Sequence, residues 1–172
     1  MIIDISNIII KNNITEKFDC SIDARDITYN RITYPIINSK PFELSVVNQD
    51  SKVVSISCDT SLEVSIPCDR CMTDVSYPFD ISIDKSFKIV DEKVVLEDEE
   101  AYFNDNELDV DRLIFDEVLV NWPAKVLCKE DCKGMCPNCG TNLNTSSCDC
   151  VQEIKDPRMA KFQEVFREFK EV

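Results

Sequence analysis

Residues 128 to 150 constrain this chain more than any other stretch. They read Cys128-Lys-Glu-Asp-Cys132-Lys-Gly-Met-Cys136-Pro-Asn-Cys139-Gly-Thr-Asn-Leu-Asn-Thr-Ser-Ser-Cys148-Asp-Cys150 and hold six of the ten cysteines. They also hold Gly134 and Gly140, the two glycines of the whole 172-residue chain. Glycine accepts positive φ and close backbone approach, so the backbone must turn tightly around something here. Cys136-Pro-Asn-Cys139-Gly140 has the form of a metal knuckle, in which two thiolates grip one ion and the glycine frees backbone N–H groups to point at sulfur. The chain has no histidine, so any metal would be held by thiolates alone. Closed tetrahedral four-thiolate sites are typical of structural zinc, and iron–sulfur clusters are the main alternative. Six thiols exceed the four that one zinc needs. Cys136 and Cys139 belong to every plausible set. The other two ligands are Cys148 and Cys150, or Cys128 and Cys132, and the sequence leaves that choice open. The expected cofactor is one structural zinc ion. Disulfides or inert buried thiols are the weaker reading, because disulfides need an oxidising compartment.

The N-terminus, Met-Ile-Ile-Asp, lacks a basic stretch before its apolar residues, and no run approaches a membrane span. The expectation is a cytoplasmic protein with reduced thiols. Its net charge of −14 is unevenly spread. Residues 121–172 carry eight acids and eight bases, so residues 1–120 hold the whole net charge. Such a surface repels a phosphate backbone.

The first 90 residues alternate apolar and polar side chains. Phe18/Cys20/Ile22, Ile32/Tyr34/Ile36, Phe42/Leu44/Val46, Val54/Ile56/Cys58 and Leu62/Val64/Ile66 are short runs, and Val75 to Ile83 is the longest. Period-two alternation predicts half-buried antiparallel strands, separated by polar turns such as Asn48 to Ser51. Ile2 to Ile10 reads as a further strand. Residues 91–111 hold ten acids and one base, and read as a solvated loop pinned by Tyr102 and Phe103. Asp109 is a candidate N-cap for a helix over 110–122 that Pro123 stops. Asp156-Pro157 opens a last helix with Met159, Phe162, Phe166 and Phe169 on one stripe. The expected fold class is α+β: an antiparallel twisted sheet or open barrel, then a helix, a cysteine-rich zinc-stapled loop and a C-terminal helix. It divides into a β-rich part, residues 1–124, and a cysteine-rich part, residues 125–172.

Cys68-Asp69-Arg70-Cys71 falls between two strand patterns, which puts it at a hairpin tip. It reads as a structural turn, as a redox pair, or as half of a zinc ribbon completed by Cys136 and Cys139. Redox CxxC pairs usually open a helix that lowers the thiol pKa, and a hairpin offers none. Lack of histidine removes Ser-His and Cys-His nucleophile pairs. Two glycines cannot build a phosphate-cradling loop. The chain therefore reads as a non-enzyme with no small-molecule substrate.

Cys68-x-Arg70-Cys71, then the 128–150 cysteines, then Asp156-Pro157-Arg158 before a short helix resemble, in order and spacing, the YceD family of bacterial and plastid proteins linked to large-subunit ribosomal RNA accumulation. Met72 stands where that family commonly has leucine. The resemblance implies a role in ribosome biogenesis without established catalysis. Some members lack the C-terminal cysteines, which implies a structural metal and weakens the shared ribbon. The expected partner is a ribosomal protein or assembly factor, or precursor RNA of the large subunit. Charge favours a basic protein. A thiol redox or zinc-sensing protein using Cys68 and Cys71 is the alternative.

Overall fold

The computed structural model describes residues 1–95 and 102–150. In order they form β1 (Ile2–Asp4), α1 (Ser6–Ile10), β2 (Thr15–Cys20), β3 (Asp26–Tyr29), β4 (Ile32–Ser39), β5 (Phe42–Gln49), β6 (Val53–Pro67), β7 (Asp74–Val90), β8 (Lys93–Val95), β9 (Phe103–Asn104), β10 (Glu107–Asp109) and α2 (Val110–Val120). The architecture is α+β, mostly antiparallel sheet with few helices, and the sheet does not close into a barrel. Its spine is the β6–β7 hairpin, paired without interruption from Val53↔Lys88 to Pro67↔Asp74. On the other edge of β6, β5 pairs with the first half and β4 with the second. β2 lies beyond β5, and β3 beyond β4. Two runs of alternation, Val54 to Cys58 and Leu62 to Ile66, are thus one strand. All six of their apolar side chains are buried on one face, opposite Phe79, Ile81, Ile83 and Phe87 of β7. Pro78 in β7 lacks an N–H, and it faces only β6 in the ladder. That agrees with the rule that proline keeps to sheet edges.

The hairpin turns do without glycine. Asn30–Arg31, Asp50–Ser51 and Asp91–Glu92 all have positive φ at both positions, the backbone of the two-residue turns that match strand twist. Glycine is reserved for the cysteine-rich stretch, where Gly134 and Gly140 have φ of 78° and 72°.

Two expectations are corrected. Ile2 to Ile10 is not one strand, because the chain turns after Asp4 into α1. Its last carbonyls, of Ile8, Ile9 and Lys11, accept the carboxamide N–H of Asn48 at 2.8, 2.9 and 3.0 Å. Asn48, read as a turn residue, is fully buried, and its carboxamide supplies those helix-end groups with a donor. The 91–111 stretch is not wholly a solvated loop either. β9 and β10 extend β1 into a small second sheet, and Leu108 is 0 % and Tyr102 1 % exposed. The two side chains are buried while Asp105 and Glu107 beside them stay exposed. Residues 96–101 of that stretch, and the expected C-terminal helix with Asp156, Pro157 and Arg158, lie outside the described residues.

α2 starts where its cap was expected: the Asp109 carboxylate accepts the Arg112 N–H at 3.2 Å. The helix stops at Val120, two residues before the expected end, and Asn121 caps it. Val110, Leu113, Ile114 and Val118 are buried against the sheet. Trp122 then stacks on Tyr29 at 4.6 Å and meets Tyr34 and Phe79 at 4.9 and 5.7 Å. This anchor directs the following segment toward the tip of the β6–β7 hairpin.

Candidate metal centres

At that tip, Cys68 to Thr73 form the turn between the two longest strands. The Cys68 carbonyl accepts the Met72 N–H, and Met72 has a φ of 59°. Asp69 fastens the incoming segment twice. Its N–H donates to the Val126 carbonyl at 2.9 Å, and its carboxylate accepts the Val126 N–H at 2.7 Å. Cys128 and Cys132 follow directly and meet the hairpin thiols. Cys68, Cys71, Cys128 and Cys132 bring four Sγ atoms within 4.8 Å of one another. Cys68 Sγ lies 3.8 Å from Cys132 Sγ, and Cys71 Sγ 3.5 Å from Cys128 Sγ. A zinc–sulfur bond of about 2.3 Å gives a tetrahedron an edge of about 3.8 Å, whereas a disulfide bond is about 2.05 Å. The spacing fits one ion at the centre. It is too tight for a multi-iron cluster. Cys68, Cys71 and Cys132 are buried, with Val75 and Leu127 packed against them.

The second quartet is Cys136, Cys139, Cys148 and Cys150, again within 4.8 Å of one another. The knuckle has its expected backbone: the Cys136 carbonyl accepts the Gly140 N–H, and the Cys136 N–H donates to Thr141, both at 2.9 Å. This quartet is more open, with Cys136 buried and Cys139 exposed.

Both quartets are poised for a cation. At Cys68, burial opposes the thiolate, but N–H groups of Arg70, Cys128 and Cys71 outweigh it and bring the pKa down to about 6. Thr73, its hydroxyl 3.3 Å from Cys71 Sγ, holds that thiol below its usual range. Burial, then the neighbouring sulfurs, push Cys128 up to about 12. In the second quartet the Thr141 hydroxyl and N–H hold Cys139 at about 6. Contact with Cys139, then burial, push Cys150 up to about 12. In each quartet a thiol that ionises readily, Cys68 or Cys139, faces one that resists ionisation until a positive charge compensates it, Cys128 or Cys150. Cys20 and Cys58 differ. Burial raises both, Cys58 to about 12, as befits inert core thiols.

The cysteines that the sequence left ungrouped fall into two quartets in space. Cys136 and Cys139 pair with Cys148 and Cys150, not with Cys128 and Cys132. The hairpin pair is not completed by Cys136 and Cys139 either; it joins Cys128 and Cys132. The expectation of one ion covers half of what the geometry offers, which is two four-thiol sites. Arg70 proves to be a tie between elements. Its guanidinium donates to the Cys132 carbonyl at 2.9 Å, and its own carbonyl accepts the Met135 N–H at 2.9 Å. Gly134 passes so close that an added Cβ would lie 3.1 Å from the Arg70 oxygen, while at Gly140 nothing lies within 4 Å. Both glycines need left-handed backbone, worth about 1–2 kcal/mol against a side chain. Gly134→Ala adds a backbone clash, so it should lower metal affinity and local stability more than Gly140→Ala. Zinc competition titrations of the two variants test the ranking. Sequence reasoning missed Thr73, Thr141 and Asn144 as partners of the sulfurs. Only Asn144 had a signal, as part of the Asn-Leu-Asn run.

No helix among the described residues is long and apolar enough to cross a membrane. No solved structure matches the chain. An uncharacterized protein of Bacillus subtilis (strain 168), YlbN, is 29% identical over 119 residues, 69% of each chain. An uncharacterized protein of Mycobacterium tuberculosis (strain H37Rv) is 31% identical over 101 residues, 57% of this chain and 48% of that one. The "Large ribosomal RNA subunit accumulation protein YCED homolog 1, chloroplastic" of Arabidopsis thaliana is 44% identical over 50 residues, 29% of this chain and 16% of that one. The matched region thus spans about half of the mycobacterial relative and a minor part of the plant one. The family model described as large ribosomal RNA subunit accumulation protein YceD matches residues 56–166, which take in both cysteine quartets, and the chain belongs to that family.

Proposed function

We propose that this chain is a non-enzymatic factor in the accumulation of large-subunit ribosomal RNA, built on an acidic sheet with a zinc-stapled tip. The observation that carries the reading is the family match over residues 56–166, supported by the name of the plant relative. Each quartet takes one structural zinc ion. The closed all-thiolate donor sets and the sulfur spacing support this. They favour a metal over a redox pair, since each hairpin thiol has a near neighbour on the 128–132 segment. The partner is a basic ribosomal or assembly protein, in preference to bare precursor RNA. Residues 1–120 hold the whole net charge of −14, and complementary charge speeds encounter and fixes orientation.

Depleting the protein from growing cells should lower large-subunit ribosomal RNA relative to small-subunit RNA. An unchanged ratio overturns the reading. Crosslinking in the same cells should recover a basic protein. Neutralising Glu97, Asp98, Glu99 and Glu100 together should slow association with it and flatten the salt dependence. Neutralising Lys129, Lys133 and Arg158 should do less. The reverse ranking, with RNA crosslinked to residues 125–161, would make this a direct RNA binder.

A further inference from the structure

We propose that the two quartets load metal as one cooperative unit, and that Asn144 is the positioning residue that couples them. The inference rests on the reading that each quartet takes one ion. Asn144 lies in the loop between Cys139 and Cys148, which the second quartet closes. Its side chain nevertheless reaches the first quartet, where Nδ2 donates to Cys132 Sγ at 3.3 Å. The same carboxamide is fixed on both sides. Its Oδ1 accepts the Lys133 N–H at 3.0 Å, and its Nδ2 also donates to Asn142 Oδ1 at 2.9 Å. Asn142 in turn donates to the Thr73 hydroxyl at 3.3 Å, and that hydroxyl lies 3.3 Å from Cys71 Sγ. One loop therefore supplies a direct donor to one ligand of the first quartet and, through Asn142, fixes the Thr73 hydroxyl beside another.

The physical consequence follows from loop entropy and from outer-shell bonding. An ion held by Cys136, Cys139, Cys148 and Cys150 clamps both ends of the Gly140–Ser147 loop. The cost of ordering Asn142 and Asn144 is then already met when the first quartet is loaded. N–H groups aimed at a ligating sulfur stabilise its thiolate, and loss of such an outer-shell partner typically weakens metal binding about 10- to 100-fold. Linkage makes the effect reciprocal: the first ion must favour the second by the same factor. The Gly134 carbonyl, which accepts the Leu143 N–H at 2.9 Å, closes the circuit between the two segments.

Cobalt(II) titration of the full-length metal-free protein tests this through thiolate-to-cobalt charge-transfer absorption, with far-UV circular dichroism to check folding. Cys139→Ser/Cys148→Ser leaves the first quartet, and Cys71→Ser/Cys128→Ser leaves the second. In the wild-type chain the product of the two stepwise constants should exceed the product of the two single-quartet constants by about tenfold, within the usual range of coupling. In an Asn144→Ala background that ratio should fall to about one. Asn144→Ala keeps all eight ligands. Its own isotherm should therefore be shallower than that of the wild-type chain, even where a serine pair fails to fold. A ratio of one in the wild-type chain overturns the coupling. A tenfold ratio that survives Asn144→Ala overturns the role of Asn144. Uptake of fewer than two ions by the wild-type chain instead overturns the two-ion reading beneath it.

Discussion

A strong chelator will withdraw about two zinc ions per chain, the stoichiometry of two closed four-ligand sites, and will unfold residues 126–150 while the sheet persists. Metal binding to such sites is coupled to local folding, with apparent free energies on the order of 10 kcal/mol per structural zinc. Among the described residues no other core secures this segment. Of their buried apolar side chains after Trp122, only Val126 belongs to the main core, and Cys132 belongs to the thiol cluster. The sheet has its own interior in Val54, Ile56, Leu62, Val64, Ile81 and Ile83. Hydrogen exchange should show the Met135, Cys136 and Leu143 amides losing protection on chelation, while the β6–β7 ladder keeps it. Simultaneous loss in the ladder would mean that the metal founds the whole fold. Cys68→Ser or Cys71→Ser should remove one ion, and Cys136→Ser or Cys139→Ser the other, by elemental analysis. Protein that contains neither zinc nor iron and shows ten free thiols sinks the metal reading.

Asn48→Leu should be the most damaging single change remote from the cysteines. The side chain is nearly the same size and 0 % exposed, so little volume changes. What is lost is polar. The carbonyls of Ile8, Ile9 and Lys11 lose a donor, and the Ser51 N–H loses the Asn48 Oδ1 acceptor at 3.0 Å. Each buried group left without a partner costs about 1–3 kcal/mol, so a loss of about 3 kcal/mol or more in urea unfolding is expected. Exchange should quicken first in α1 and the β5–β6 turn. A loss below about 1 kcal/mol would mean that water replaces the carboxamide at no great penalty.

Local chemistry was enough to read several elements from the residues alone. Alternation placed β5, β6 and β7, because a half-buried strand must put every second side chain inside. Asp109 marked the start of α2 through its own side chain, which bonds within three residues. The Cys136–Gly140 knuckle was legible because its ligands and its turn are adjacent in sequence. The same locality explains what was not legible. α1 looks like a strand, since Ile2, Ile3, Ile5, Ile8, Ile9 and Ile10 favour one. The donor that ends the helix sits on β5, about forty residues away. Leu108 is buried within an acidic run because β1 arrives from the far end of the chain to pair with it. Above all, ten similar thiols carry no label of partner. Cys68 and Cys71 meet Cys128 and Cys132 only because the β6–β7 hairpin carries one pair to its tip, and Trp122 and Asp69 deliver the other pair to the same place. Spacing along the chain can say that thiols will bind a metal. Which four share an ion is decided by distance in space, and that is fixed by the packing of the whole sheet.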